Sequence, residues 1–309
     1  MKRLSLLVPF ALAASLAACG PSALELKTAA DAKAAADARA AAKERALADE
    51  EARMAAEARA RAAADAKAAA EAQAAANAAN AARPSCRAGM KVIAKGSFTM
   101  GSETGEDDEK KTHSVTVAAF CMDATEVTTA AYTACVNGGN CGKPEVSTPY
   151  NFGWPGRENH PINGVDWEQA TIYCATHGLR LPTEEEWEYA ARGADGRTYP
   201  WGNDVPDKQL CWDRFGPGKA NSTCAVGSFP LGDSPFGLSD MSGNVWEWTS
   251  SGYVGNYGEA PFENVRVIRG GGDWHYGDPL VFRSSNRTYS APALRGGALG
   301  FRCAGSTGS

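Results

Sequence analysis

The sequence predicts an α+β domain of short elements and many loops, preceded by one long alanine-rich helix. Three observations carry this. Composition breaks sharply at Arg83-Pro84-Ser85. Before the break, residues 24–83 are mostly alanine interleaved with Lys, Arg, Asp and Glu, without glycine or proline. After it come eight of the nine cysteines, most aromatics and nearly all of the 33 glycines, with apolar residues in short runs.

The chain has 309 residues and a formal net charge of -5 with no basic block, which argues against a nucleic-acid partner. Residues 1–18 read as a targeting segment. Lys2 and Arg3 precede an apolar run from Leu4 to Leu16, too short for a stable spanning helix. Leu16-Ala-Ala-Cys19 then matches a lipobox, in which Cys19 receives lipid after cleavage. An ordinary signal peptide is the alternative, and it would leave Cys19 as an odd thiol. Residues 19–23 become the anchored start. Gly20, rather than an aspartate, follows the cysteine, which points to the outer membrane, facing the periplasm or the cell surface.

The 24–83 segment is a stalk by composition. Alanine is the best helix former, and its charges are spaced for opposite-sign pairing. Fully helical, it would extend roughly 90 Å. Large apolar residues are nearly absent, so a packing stripe is missing. A lone solvated helix, an alanine-seamed coiled coil that self-associates, and a partly melted linker all fit this composition.

Beyond Pro84, Met90 to Met100 reads as a hairpin turning at Lys95-Gly96. Gly105 to Lys111 is an acidic-then-basic loop. Val115-Thr-Val117 alternates as a strand and leads to Phe120-Cys-Met-Asp123. Glu126-Val-Thr-Thr opens a helix reaching Val136, and Cys135 and Cys141 bracket the turn Asn137-Gly-Gly-Asn140. A second helix runs from Trp167 to His177. A third, Glu184 to Arg192, has Thr183 as N-cap and acids in its first turn that suit the helix dipole. Pro200-Trp-Gly-Asn203 is a turn, and Val265 to Arg269 is a strand ending in three glycines.

The densest stretch is Asp240-Met-Ser-Gly-Asn-Val-Trp-Glu-Trp-Thr249. On an extended backbone Trp246 and Trp248 face one way and Glu247 the other. A carboxylate among large aromatics needs a partner. Asp240 and Glu247, with the carbonyls of Gly243 and Val245, could form an oxygen cage for a hard cation such as calcium. Alternatively the stretch is a tryptophan-rich core strand with Glu247 tied to an arginine.

Taken in order, Gly96-Ser-Phe-Thr-Met-Gly-Ser102, Glu126-Val-Thr128, Pro161-Ile-Asn-Gly-Val165, Arg180-Leu-Pro-Thr-Glu-Glu-Glu-Trp-Glu-Tyr-Ala-Ala191, Tyr199-Pro-Trp-Gly202, Gly243-Asn-Val-Trp-Glu-Trp-Thr249, Arg269-Gly-Gly271 and Gly300-Phe-Arg-Cys303 resemble the formylglycine-generating enzyme (sulfatase-modifying factor) family. The resemblance covers 86–305. It implies a C-type-lectin-like α+β fold with little regular structure. Family enzymes oxidise a substrate cysteine to formylglycine with copper and oxygen, while relatives include domains used for binding alone. Fold therefore does not settle function. The family's calcium positions fall on Asp240, Gly243, Val245 and Glu247, with Asp where the familiar enzyme has Asn. This shifts the reading toward a structural calcium. At a second family calcium site Cys211 occupies the first ligand position and no later acid matches, so that site is not carried over.

The main departure lies in the stretch after Arg269. The family enzyme places two cysteines, five apart, there to bind copper(I), which requires soft thiolates. Here His275 takes the first position and Pro279 or Leu280 the second. No cysteine lies between Cys224 and Cys303. Without the lipidated Cys19, eight cysteines remain, an even number in an oxidising compartment, with 105 possible pairings. Cys135 with Cys141 and Cys211 with Cys224 each bracket one loop. The resemblance implies Cys174 with Cys303. Cys86 and Cys121 remain as a pair near the first strands. Of the four histidines (His113, His160, His177 and His275), none shows helical metal-pair spacing, and only His275 is placed for chemistry.

In the family this loop lines the substrate groove. Asp273, Trp274, His275, Tyr276, Arg283 and Arg287 form the candidate binding surface for an envelope protein, peptide or glycan. The expectation is an anchored lipoprotein presenting a calcium-stabilised binding domain that does not make formylglycine. The alternatives are an oxidase with substitute ligands around His275 and a structural envelope protein assembled through its stalk.

Overall fold

The computed structural model describes residues 22–81, 84–147, 150–212, 223–272 and 279–308. Cys19 and the stretch 273–278 lie outside the described residues. The chain divides into two compact units, Met1–Asn80 and Ala81–Ser309.

Within the first unit, helix α1 spans Ala23–Ala81, 59 residues and about 88 Å at 1.5 Å each. Its described side chains are exposed all round, including Leu24, Leu26, Leu47 and Met54. The charge pattern explains this. Asp31 and Lys33 recur six residues later as Asp37 and Arg39, and Asp65 and Lys67 as Glu71 and Gln73. Six residues rotate a helix to a position about 120° short of two turns, so successive charged steps visit every face. Exposed i,i+4 pairs, Arg53–Glu57 at 3.8 Å and Lys67–Glu71 at 3.9 Å, add only a few tenths of a kcal/mol each. Among the described residues no helix is long and apolar enough to cross a membrane.

The second unit mixes three small sheets with three short helices. Strands β1 (Met90–Ile93), β4 (Phe120–Asp123) and β9 (Ala304–Ser306) form an antiparallel sheet in the order β1-β4-β9. β2 (Gly96–Met100) pairs with β3 (His113–Val117). The expected Met90–Met100 hairpin is therefore corrected: β1 pairs with β4, and the chain changes sheet at Lys95-Gly96. A Cβ on Gly96 would sit 2.0 Å from the Tyr189 hydroxyl, so this glycine answers a packing demand, not a turn. The third sheet has the order β7-β6-β5-β8, from β5 (Trp246–Gly252), β6 (Arg266–Arg269), β7 (Arg287–Ser290) and β8 (Leu299–Gly300), with only β5 and β8 parallel.

The helices begin where their capping residues predict. Thr128 caps α2 (Thr129–Asn137) by accepting from Ala131 N–H. Asp166 and Gln169 form a capping box on α3 (Trp167–Thr176), and Thr183 and Glu186 form one on α4 (Glu184–Arg192).

Two apolar clusters flank β5. One gathers Tyr132, Ile162, Leu181, Trp248 and Phe301, with Trp246 packed against it. The other gathers Ile93, Met122, Trp187 and Met241. The alternation predicted for the tryptophan strand is thus realised: both indoles face the first cluster, and Glu247 reaches Trp187 of the second. Four disulfides brace the unit, Cys86–Cys121, Cys135–Cys141, Cys174–Cys303 and Cys211–Cys224, the expected pairings. Cys174–Cys303 closes 129 residues of chain. The double substitution Cys174→Ala/Cys303→Ala should cost about 2–5 kcal/mol, read as a lower urea midpoint. An unchanged midpoint would contradict the bracing role.

Candidate functional site

The Glu247 side chain is fully buried. Its carboxylate accepts from Arg302 Nε at 2.8 and 2.9 Å, from Arg302 Nη2 at 2.7 Å and from Trp187 Nε1 at 2.9 Å. Arg302 also donates to the carbonyls of Ser239 and Asp123. Burial opposes the Arg302 charge, but Glu247 holds its pKa above the ordinary arginine value. The arginine-tied reading of Glu247 therefore describes the geometry, and these carboxylate oxygens are already engaged.

Beside this pair sits a carboxylate that sequence reasoning missed. Glu126 is 1 % exposed, and neither of its side-chain oxygens has a proper hydrogen-bond partner among the described residues. Burial first, then Asp240, pushes its pKa well up; Arg302 partly offsets this and Glu247 adds to it. Asp240 is also buried and raised, first by burial, although it accepts from Gly227 N–H at 2.6 Å. Asp240, Gly243 and Asn244 all adopt left-handed backbone, with φ of 58°, 83° and 60°. Non-glycine residues in this region cluster at ligand clamps. Among the described residues no three His, Cys, Asp or Glu side chains come together as a metal cluster. The donors that fit a hard cation are the two carboxylates Asp240 and Glu126 with nearby main-chain carbonyls, the mixture calcium takes. Of the four expected ligands, Glu247 fits least.

The glycines after Arg269 have a steric cause. A Cβ on Gly272 would lie 1.9 Å from the Val245 carbonyl carbon, so the chain can cross the tryptophan strand only without a side chain. Asp273, Trp274, His275 and Tyr276 follow, outside the described residues. Arg283 and Arg287 differ from their expected role on the groove surface. Arg283 donates to both Glu109 oxygens at 2.6 and 2.9 Å, and Arg287 to both Glu184 oxygens at 2.7 and 2.8 Å. Both are buried, so they hold the base of the region and offer no cation to a ligand.

Helix α4 supplies two of the buried acids. Glu184 and Glu188 lie four apart on one face, where they meet Arg287 and Arg269, and Arg192 closes back on Glu188 at 3.0 Å. The first-turn acids suited the helix dipole in the sequence, but two of the acids on this helix are buried ion-pair partners. The Glu-x-x-x-Glu-x-x-x-Arg spacing was the available signal; its arginine partners lie some 80 to 100 residues away in sequence and could not be read.

With the site placed, comparison with known proteins is decisive on family. The family model for the sulfatase-modifying factor enzyme 1-like domain matches residues 73–307. The chain belongs to this family. The formylglycine-generating enzyme of Streptomyces coelicolor is 33% identical over 288 residues, covering 72% of this chain and 91% of that protein. The inactive C-alpha-formylglycine-generating enzyme 2 of Bos taurus is 39% identical over 158 residues, 48% of this chain. That match spans about half the relative's length, 51%. Among solved structures, PvdO from Pseudomonas aeruginosa superposes with a TM-score of 0.60 at 29% identity, covering 70% of this chain and 94% of that one. In this sulfatase-modifying-factor domain the glutamate of Gly243-Asn-Val-Trp-Glu-Trp pairs with the arginine of Gly300-Phe-Arg-Cys.

Two stability measurements follow. Arg302→Met leaves Glu247 buried without its main partner and should cost about 3–5 kcal/mol in chemical denaturation. Glu126 behaves oppositely. Its folded pKa lies above the unfolded value of 4.5, so in chelator its contribution to stability is fully present below pH 4.5 and is lost as pH rises through the folded pKa. Glu126→Gln should flatten that pH slope and, at pH 7 in chelator, stabilise by about 1–3 kcal/mol.

Proposed function

We infer that this chain is an envelope lipoprotein whose sulfatase-modifying-factor domain is a calcium-stabilised binding module that does not generate formylglycine. One observation carries the reading. Where the family enzyme's thiol pair falls there is no cysteine, and all eight domain cysteines are closed into disulfides. Without two thiolates, copper(I) lacks its soft ligands. Substantial identity to relatives named inactive supports this.

In this reading calcium is held by Asp240 with Glu126 and main-chain oxygen of the Gly243 and Val245 stretch, and it neutralises carboxylates that Arg302 alone does not balance. Glu247 serves as the partner of Arg302. Cys19 carries the lipid at the outer membrane, and residues 24–83 hold the domain away from it. The loop bearing Trp274, His275 and Tyr276 supplies the family groove's contacts to a peptide or glycan.

The test is metal analysis with thiol titration on the purified chain, followed by oxygen uptake with a cysteine peptide. The expected outcome is about one calcium per chain, no reactive thiol among the eight domain cysteines and no oxygen uptake above background. Copper or iron near one per chain with oxygen consumption would overturn the reading. Chelation should lower the melting temperature of the parent chain by several degrees and that of Glu126→Gln by much less. Cys19→Ala should move the protein from the membrane to the soluble fraction.

A further inference from the structure

We propose that the cleft between helix α2 and the 152–158 loop is a binding site for a neutral or amino-bearing oligosaccharide, independent of the loop at 273–278. The cleft has a volume of about 660 Å³, within the range of small-ligand sites. One wall is the exposed face of α2, where Ala130 and Ala134 leave room at the surface. The other carries Trp154, which is 49% exposed although its neighbour Phe152 packs against the core.

The two walls are fixed to each other. The N–H groups of Thr129 and Ala130, at the start of α2, donate to the carbonyls of His160 and Glu158 at 2.8 and 2.9 Å. Trp154 N–H donates to Asn151 O at 3.1 Å. Asn151 is itself buried, accepting no freedom at either end: its N–H donates to Asn163 Oδ1 at 2.7 Å, and its amide to Pro161 O and Thr223 Oγ1 at 2.8 and 2.9 Å. The indole is therefore presented from a braced turn, and little ordering is left for binding to supply.

The chemistry of the lining selects the ligand. Trp154 offers a flat apolar face, on which the C–H face of a pyranose can stack. The Trp154 Nε1–H and the Asn137 amide have no hydrogen-bond partner among the described residues, and Glu158 uses one oxygen only on Gly156 N–H at 3.2 Å. A purely apolar ligand would bury these groups unpaired, at a cost. A ligand with an apolar face and a hydroxyl rim satisfies both features. Among the described residues Glu158 is the one charged residue lining the cleft, so its field disfavours uronic or sialic acids and accepts neutral or amino sugars. An extended peptide is less suited, because no strand edge borders the cleft to pair with its backbone.

The experiment is a titration of the full chain with cellobiose, N,N′-diacetylchitobiose, chitosan oligomers and a sialylated trisaccharide, followed by tryptophan fluorescence and saturation-transfer NMR. At least one neutral or amino oligosaccharide should bind saturably, with the sialylated probe weakest. Trp154→Ala should weaken binding about tenfold or more, and Asn137→Ala severalfold, with melting temperature unchanged because both side chains are exposed. Ala134→Trp, which fills the cleft from the α2 wall, should also abolish binding. No binding of any probe up to about 10 mM, or binding that survives both Trp154→Ala and Ala134→Trp, would overturn the proposal. Binding lost instead in Trp274→Ala would overturn it too and assign the sugar to the other loop. Calcium content and oxygen uptake are unaffected by these variants, so the binding-module reading stands or falls separately.

Discussion

The second unit depends on buried guanidinium–carboxylate pairing. Arg192, Arg269, Arg283, Arg287 and Arg302 are all buried, and each meets a buried glutamate, which for all but Arg192 comes from a distant part of the chain. The described strands of this unit are two to seven residues long, and much of the backbone is loop, so regular ladders cannot fix the tertiary arrangement alone. An arginine fork satisfied by one carboxylate and two carbonyls fixes several loops at once. Such pairs contribute modest net stability, because desolvation offsets most of the attraction, but breaking one exposes the full penalty of the survivor. Among the described residues Glu188 takes two of these arginines, and Glu126 and Asp240 are buried acids without an arginine of their own.

Much of this was legible, unevenly. Thr183 announced its helix because capping is local chemistry. The tryptophan strand was legible because a period of two assigns faces without knowing the partner. The sheet order was not. Gly96 looked like a turn residue, whereas its cause is Tyr189, 93 residues on, and no local pattern carries that information. Arg283 and Arg287 illustrate the same gap: near a family groove they read as ligand contacts, yet Glu109 and Glu184 claim both. Glu126 read as the opening of a helix and part of a family motif, although both of its buried oxygens lack a hydrogen-bond partner among the described residues.

The family motifs from Pro161-Ile-Asn-Gly to Gly300-Phe-Arg-Cys carry packing and ion pairs, with Ile162 and Phe301 in the first core and Arg302 on Glu247. A scaffold held in this way fixes the family without fixing the chemistry placed on its loops.

The segment 299–306 has a consequence for how the chain must be made. It supplies β8 to Trp246 and Glu247, Phe301 to the first core, Arg302 to Glu247, Cys303 to Cys174, and β9 to the edge of β4. Each contact reaches back between about 50 and 180 residues. A chain made N-terminus first therefore exposes both half-formed cores, and one unpaired cysteine, until this stretch has followed. A polypeptide cut short upstream of Leu299 has most of the sequence and neither core closed, a natural substrate for holding chaperones and proteases.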